Sequence, residues 1–113
     1  MKNLVYKIKY FFNRNLSNGI TYSELQNIMK KNRDVYLIDV RSNQEYREGY
    51  IENAINIPLY DLEKNIIKTV KNKDEIIILY CQSDIRSRKA KKRLEKIGYN
   101  NIFYLKDGID GIM

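Results

Sequence analysis

In the stretch IIILYCQSDIRSRKAKKRLEKIG, residues 76–98, a strand pattern gives way to a helix pattern across a short loop. Ile76 to Tyr80 is an unbroken apolar run of strand length, and its β-branched isoleucines suit a pleated position buried on both faces. Ser87 to Ile97 follows as a helix with Ala90, Leu94 and Ile97 on one face, and Gly98 stands where a left-handed cap ends it. Between them lies the loop Cys81-Gln82-Ser83-Asp84-Ile85-Arg86-Ser87. A doubly buried strand that feeds a helix through a short loop is a building unit of parallel sheets.

The same alternation extends outward. Thr21 and Glu24 make the T-x-x-E of a capping box, which predicts a helix over Tyr22 to Lys31. Val35 to Asp39 reads as a second buried strand, Gln44 to Glu48 as a short helix stopped at Gly49, and Ala54 to Ile57 as a strand ended by Pro58. Leu62 to Lys71 is helical by pattern, and Ile102 to Leu105 supplies a last strand. The expectation is an α/β domain with a mainly parallel sheet flanked by helices.

A length of 113 residues fits one domain with one core. No window approaches the roughly 18 consecutive apolar residues of a membrane span. A single cysteine excludes an internal disulfide. With no histidine, neither imidazole catalysis nor a zinc site of the usual nitrogen and sulfur ligands can be assembled, so no metal or other cofactor is expected. The net charge of +7 suits an anionic partner, and its location is uneven. Residues 1–19 carry Lys2, Lys7, Lys9 and Arg14 with no acid; Arg86 to Lys96 carries seven bases against Glu95 alone.

Residues 1–19 are read as a basic amphipathic segment, with Leu4, Val5, Ile8, Phe11 and Phe12 on one helical face, separate from a domain over 20–113. Packing on its own domain is one role for it, and reversible docking to a membrane surface or a protein is another. It lacks the uninterrupted apolar stretch and small-residue cleavage site of a signal peptide. The basic helix reads as a solvated face: Arg88, Lys91, Lys92 and Lys96 point away from the apolar stripe, no recognition motif accompanies them, and no nucleic-acid partner is expected.

Chemistry concentrates at Cys81. A thiol at the end of a central strand meets the N-terminus of the following helix, a ring of backbone N–H groups and the Arg86 guanidinium, all of which favour thiolate over thiol. By position alone, a small apolar residue closing a strand is an equally simple role. The spacing adds to this. Cys81-x-x-x-x-Arg86-Ser87 resembles the active-site loop of the rhodanese family of single-domain sulfurtransferases. In the family's order stand also Asp39-Val40-Arg41 with Glu45-Tyr46, Gly49-Tyr50-Ile51, Ala54-Ile55-Asn56-Ile57-Pro58 and Leu105-Lys106-Asp107-Gly108-Ile109, together covering residues 20–113.

The resemblance implies a doubly wound sheet and a sulfurtransferase that takes a sulfane sulfur from a small anionic donor such as thiosulfate onto Cys81. The resulting persulfide passes its sulfur to cyanide or to a thiol, including a protein thiol. Gln82, Ser83, Asp84, Ile85, Arg86 and Ser87 are then the loop that binds substrate or stabilises the persulfide, with Arg86 holding the loop or a donor oxygen. Asp39, Arg41 and Glu45 match the framework and are expected to hold the first loop by an ion pair. A thiol that must stay reduced suggests the cytoplasm.

Three positions depart from the family pattern. Asp84 replaces a frequent glycine, which suggests a differently held loop and a carboxylate that repels thiosulfate; Tyr50 replaces a frequent histidine, and Ile112 a frequent tryptophan. Two other readings stay open. Phosphatases and arsenate reductases place five residues between cysteine and arginine, against four here, which leaves fewer amides for a tetrahedral oxyanion. A non-enzymatic rhodanese-like module that binds a partner protein is the remaining alternative, against which stand the intact Cys81 and Arg86.

Overall fold

The apolar runs assemble into one five-stranded parallel sheet in the computed structural model, which describes residues 18–32 and 34–112. The strands are β1 (Gly19–Ile20), β2 (Val35–Asp39), β3 (Ile55–Asn56), β4 (Ile76–Tyr80) and β5 (Asn101–Leu105), in the spatial order β1-β5-β4-β2-β3. The helices are α1 (Tyr22–Lys31), α2 (Asn43–Arg47), α3 (Leu62–Thr69) and α4 (Ile85–Lys96). The fold is thus α/β, a parallel sheet flanked by helices, as the pattern predicts.

Every residue of β4 is buried, and its side chains alternate between two cores. Ile77, Leu79 and Cys81 pack with Leu62 and Ile66 of α3 and Ala90 and Leu94 of α4. Ile76, Ile78 and Tyr80 pack on the opposite face with Leu25 and Ile28 of α1. This two-sided burial is why the strand shows no polar alternation in sequence. It also points the Cys81 side chain towards the helix that follows it.

Local chemistry accounts for most boundaries. The Thr21 hydroxyl accepts from the Glu24 amide at 3.1 Å, and Glu24 accepts from the Thr21 amide at 2.8 Å, so the capping box starts α1 where expected. Helix α4 begins at Ile85, two residues ahead of the expected start. The Asp84 carbonyl accepts both from the Arg88 amide and from the Ser87 hydroxyl, each at 3.0 Å, and so closes the first turn early. Helix α3 ends at Thr69, earlier than expected, because Val70 turns extended to bury its side chain. A 3-10 turn, Leu59–Asp61, follows Pro58.

Gly19 lies on the N-terminal side of the expected boundary between residues 19 and 20, yet Gly19 and Ile20 together pair with Tyr104 and Leu105 as the edge strand β1. The amphipathic reading of the N-terminal segment falls on residues 1–17, outside the described residues. Among the described residues no helix is long and apolar enough to cross a membrane.

Candidate active site

Strands β2 and β4 run side by side, with Asp39 beside Tyr80. From β2 the chain moves to β3 on one flank, and from β4 it moves to β5 on the other. Chain order therefore reverses between these two strands, and loops leaving their carboxyl ends diverge to leave a crevice, the usual ligand position in open α/β sheets. The Arg41 loop and the Cys81 loop are the two that leave there.

The Cys81 thiol lies at the floor of its loop, 1% exposed, where its Sγ accepts from the Ser87 amide at 3.4 Å. The carbonyls of Cys81 and Gln82 each accept at 3.0 Å, from the amides of Ile109 and Asp110. Gln82 Nε2 donates to Asp110 Oδ1 as well. The loop carbonyls are thus turned down onto the 108–110 turn. By contrast, the amides of residues 82–86 find no acceptor among the described residues. Consecutive free amides ending in a twelve-residue helix form a concavity suited to negative charge.

Gly108 makes this closure feasible. Its φ of +59° and ψ of −156° are open to few residues other than glycine. A methyl group there would stand 2.1 Å from the Ser83 carbonyl oxygen, 2.5 Å from that of Gln82 and 2.6 Å from that of Cys81. In the sequence Gly108 belongs to the Leu105 to Ile109 motif, and neither Gly108 nor Asp110 is among the expected site residues. The available signal was the Lys-Asp-Gly turn punctuation; which loop it would support depends on the tertiary fold.

The expected ion pair of Asp39, Arg41 and Glu45 divides into two. Asp39 is fully buried and accepts from Arg41 Nη2 at 2.7 Å and from Nε at 3.1 Å. Arg41 also donates to the Gly49 carbonyl at 2.6 Å and to Gln82 Oε1 at 3.3 Å, which ties the first loop to the Cys81 loop. Asn56 Nδ2 fastens the carbonyls of Asp39 and Arg41 from β3.

Glu45 instead caps α2 through Ser42 and takes Arg86 in a bidentate pair at 2.7 and 3.0 Å. Its position on α2 turns it towards the start of α4, whereas Asp39 already occupies the Arg41 Nε and Nη2 positions. Arg86 is therefore engaged by Glu45 in this structure.

The Arg86 pair holds the Glu45 carboxyl down to about 2 against an opposing push from burial, and Ser42 adds to the lowering. A depressed carboxyl contributes stability that is present above its ordinary value of 4.5 and lost as pH falls through the folded value of about 2. Both partners are about a third exposed, so solvent moderates the effect. Glu63, held down by Arg93, titrates in the same direction. Comparison with Glu45→Gln isolates the first pair: the wild-type advantage in melting temperature is expected at neutral pH and to shrink between pH 4.5 and 2. An advantage that grows on acidification would contradict the assignment.

Comparison with known proteins decides the family, since the profile of the rhodanese-like domain matches residues 21–113. This chain belongs to the rhodanese-like family. It is 30% identical over 108 residues to a tRNA uridine(34) hydroxylase of Buchnera aphidicola subsp. Baizongia pistaciae, a match covering 90% of this chain and 34% of that protein. The chain thus spans about a third of that relative's length. Among solved structures, a rhodanese with anions from E. coli is 31% identical with a TM-score of 0.60, covering 66% of this chain and 85% of that one. A thiosulfate sulfurtransferase from Pseudomonas aeruginosa is 27% identical with a TM-score of 0.76, covering 81% of this chain and 18% of that one.

Within this rhodanese-like frame the three departures have structural accounts. Asp84 has φ −148° and ψ −2°, so no left-handed backbone asks for glycine there. Its carboxylate lies 3.9 Å from Arg88 one helical turn on. Tyr50 is half-exposed and stacks on Tyr46 with ring centroids 4.3 Å apart. Ile112 packs against the core on the α1 side.

Proposed function

We propose that this rhodanese-like protein is a sulfurtransferase that carries sulfane sulfur as a persulfide on Cys81. The observation that carries the reading is the placement of the Cys81 thiol beneath the free amides of residues 82–86, at the point where chain order reverses. In the loading step the Cys81 thiolate attacks the outer sulfur of the donor. A bond forms between Sγ and that sulfur, the donor's sulfur–sulfur bond breaks, and its electron pair leaves with the donor residue, sulfite when the donor is thiosulfate. The persulfide anion is then stabilised by the loop amides. The step needs no histidine base, because the attacking sulfur is already a thiolate.

The site favours a donor whose sulfur arrives on a narrow group, since the thiol lies at the floor of the loop. Asp84 disfavours doubly charged thiosulfate. Asp84→Gly is therefore expected to raise kcat/KM with thiosulfate by about three- to tenfold while leaving an uncharged donor unaffected. Equal use of thiosulfate by both forms would remove that role. Turnover itself is tested by thiocyanate release from cyanide with thiosulfate and with polysulfide; release with neither would reject the activity. The single thiol, which must stay reduced, supports a cytoplasmic setting.

The names of the relatives favour a second reading, in which this chain is a module acting in tRNA uridine modification. Salt-dependent binding of tRNA to the purified chain tests that reading.

A further inference from the structure

Helix α4 leaves the Cys81 loop with one face open. Ile85 in its first turn is 64% exposed and Arg88 is 61% exposed, and together with Lys89 and Lys92 they line one shallow depression. These four residues recur at the spacing of a single helical face. Of the carboxylates nearby, Asp84 faces Arg88 at 3.9 Å and Glu95 is engaged by Lys91 at 2.7 Å. Neither Lys89 nor Lys92 has an ion-pair partner among the described residues. The result is an aliphatic side chain ringed by cations immediately beside the loop that holds the thiol.

We propose that this face of α4 docks the sulfur acceptor, and that the acceptor is an acidic protein presenting a thiol close to carboxylates and an aliphatic side chain. The proposal rests on the sulfur-transfer reading above and names the partner class of the same site. Charge complementarity supports the acidic surface, and the exposed Ile85 supports a protein, because an aliphatic group offers nothing to a phosphate backbone. Helix α4 carries no aromatic side chain on which a nucleic-acid base could stack. In the transfer step the acceptor thiolate attacks the outer sulfur of the Cys81 persulfide. A new sulfur–sulfur bond forms on the acceptor, the Sγ–sulfur bond breaks, and its electron pair returns to Cys81 as thiolate. One sulfane sulfur changes owner, and no further oxidant or reductant is consumed.

The test uses the full chain, loaded with sulfur from polysulfide and freed of excess donor. Its persulfide is offered to three acceptors: a cysteine peptide rich in Asp and Glu with one leucine, a charge-neutral cysteine peptide of the same length, and free cysteine. Mass spectrometry follows loss of the added sulfur, in wild type and in a Lys89→Glu, Lys92→Glu variant whose changes lie on exposed positions. The acidic peptide is expected to react about tenfold faster than the neutral one at low salt, with the difference collapsing at high salt and in the variant. Free cysteine is expected to react equally with both proteins.

Equal rates for the two peptides, or a preference that survives in the variant, would overturn the docking assignment. Competition by tRNA that is lost in the variant, with no acidic preference, would make the face an RNA site and overturn it as well. Failure of every acceptor, free cysteine included, would remove the sulfur-transfer reading and the docking together.

Discussion

Cys81→Ser is expected to reduce sulfur loading and transfer to background while leaving the fold in place. Serine is close to cysteine in size, and its oxygen can accept the Ser87 amide that Sγ now accepts at 3.4 Å. The exchange places a more polar group at a site only 1% exposed, so a stability change of about 1 kcal/mol is expected. Function is affected differently. An alcohol is not ionised at neutral pH, and its oxygen does not hold sulfane sulfur as a thiolate does. Since Cys81 is the single cysteine, no second thiol can take over. A circular dichroism melt close to wild type with no thiocyanate release is the expected pair of results. Retained turnover would contradict the role of the thiol.

Gly108→Ala is expected to damage both stability and activity, although the residue carries no chemistry. The backbone at φ +59° and ψ −156° costs a side-chain-bearing residue about 1–3 kcal/mol, and the added methyl would overlap three consecutive carbonyl oxygens of the active loop. Relieving that overlap means moving the loop, at a further cost of about 1–3 kcal/mol. For a domain of this size the melting temperature is expected to fall by about 10 °C or more. The hydrogen bonds from Ile109 and Asp110 to the Cys81 and Gln82 carbonyls would weaken together, so the free amides would lose their aim. Reduced sulfur transfer in the fraction that remains folded separates this outcome from simple unfolding. A fully active, wild-type-stable Gly108→Ala protein would show that the turn does not set the loop.

These two positions differ in how visible they are in the sequence. Cys81 stands at the end of an apolar strand and five residues before an arginine, and both features are local. Gly108 acts on residues more than twenty positions earlier, so its contact appears only once β4 and β5 are paired. Local chemistry also makes α1 and β2 legible: the Thr21 and Glu24 box and the Val35 to Asp39 run match their elements residue for residue. Strand β1 is two residues long, too short for any periodicity, and exists because Gly19 and Ile20 can pair with the end of β5. The Glu45–Arg86 pair spans 41 residues, and nothing near Glu45 in sequence distinguishes Arg41 from Arg86 as its partner. Only the fold, which brings Glu45 beside Arg86 at the start of α4, makes that choice.

Whether Cys81 carries sulfur is read from the mass of the intact chain after brief exposure to polysulfide, with excess donor removed. The expected result is a gain of one sulfur atom, mapped to the peptide containing Cys81, absent from Cys81→Ser and removed by cyanide. An unchanged mass under conditions that load an authentic sulfurtransferase would contradict the claim.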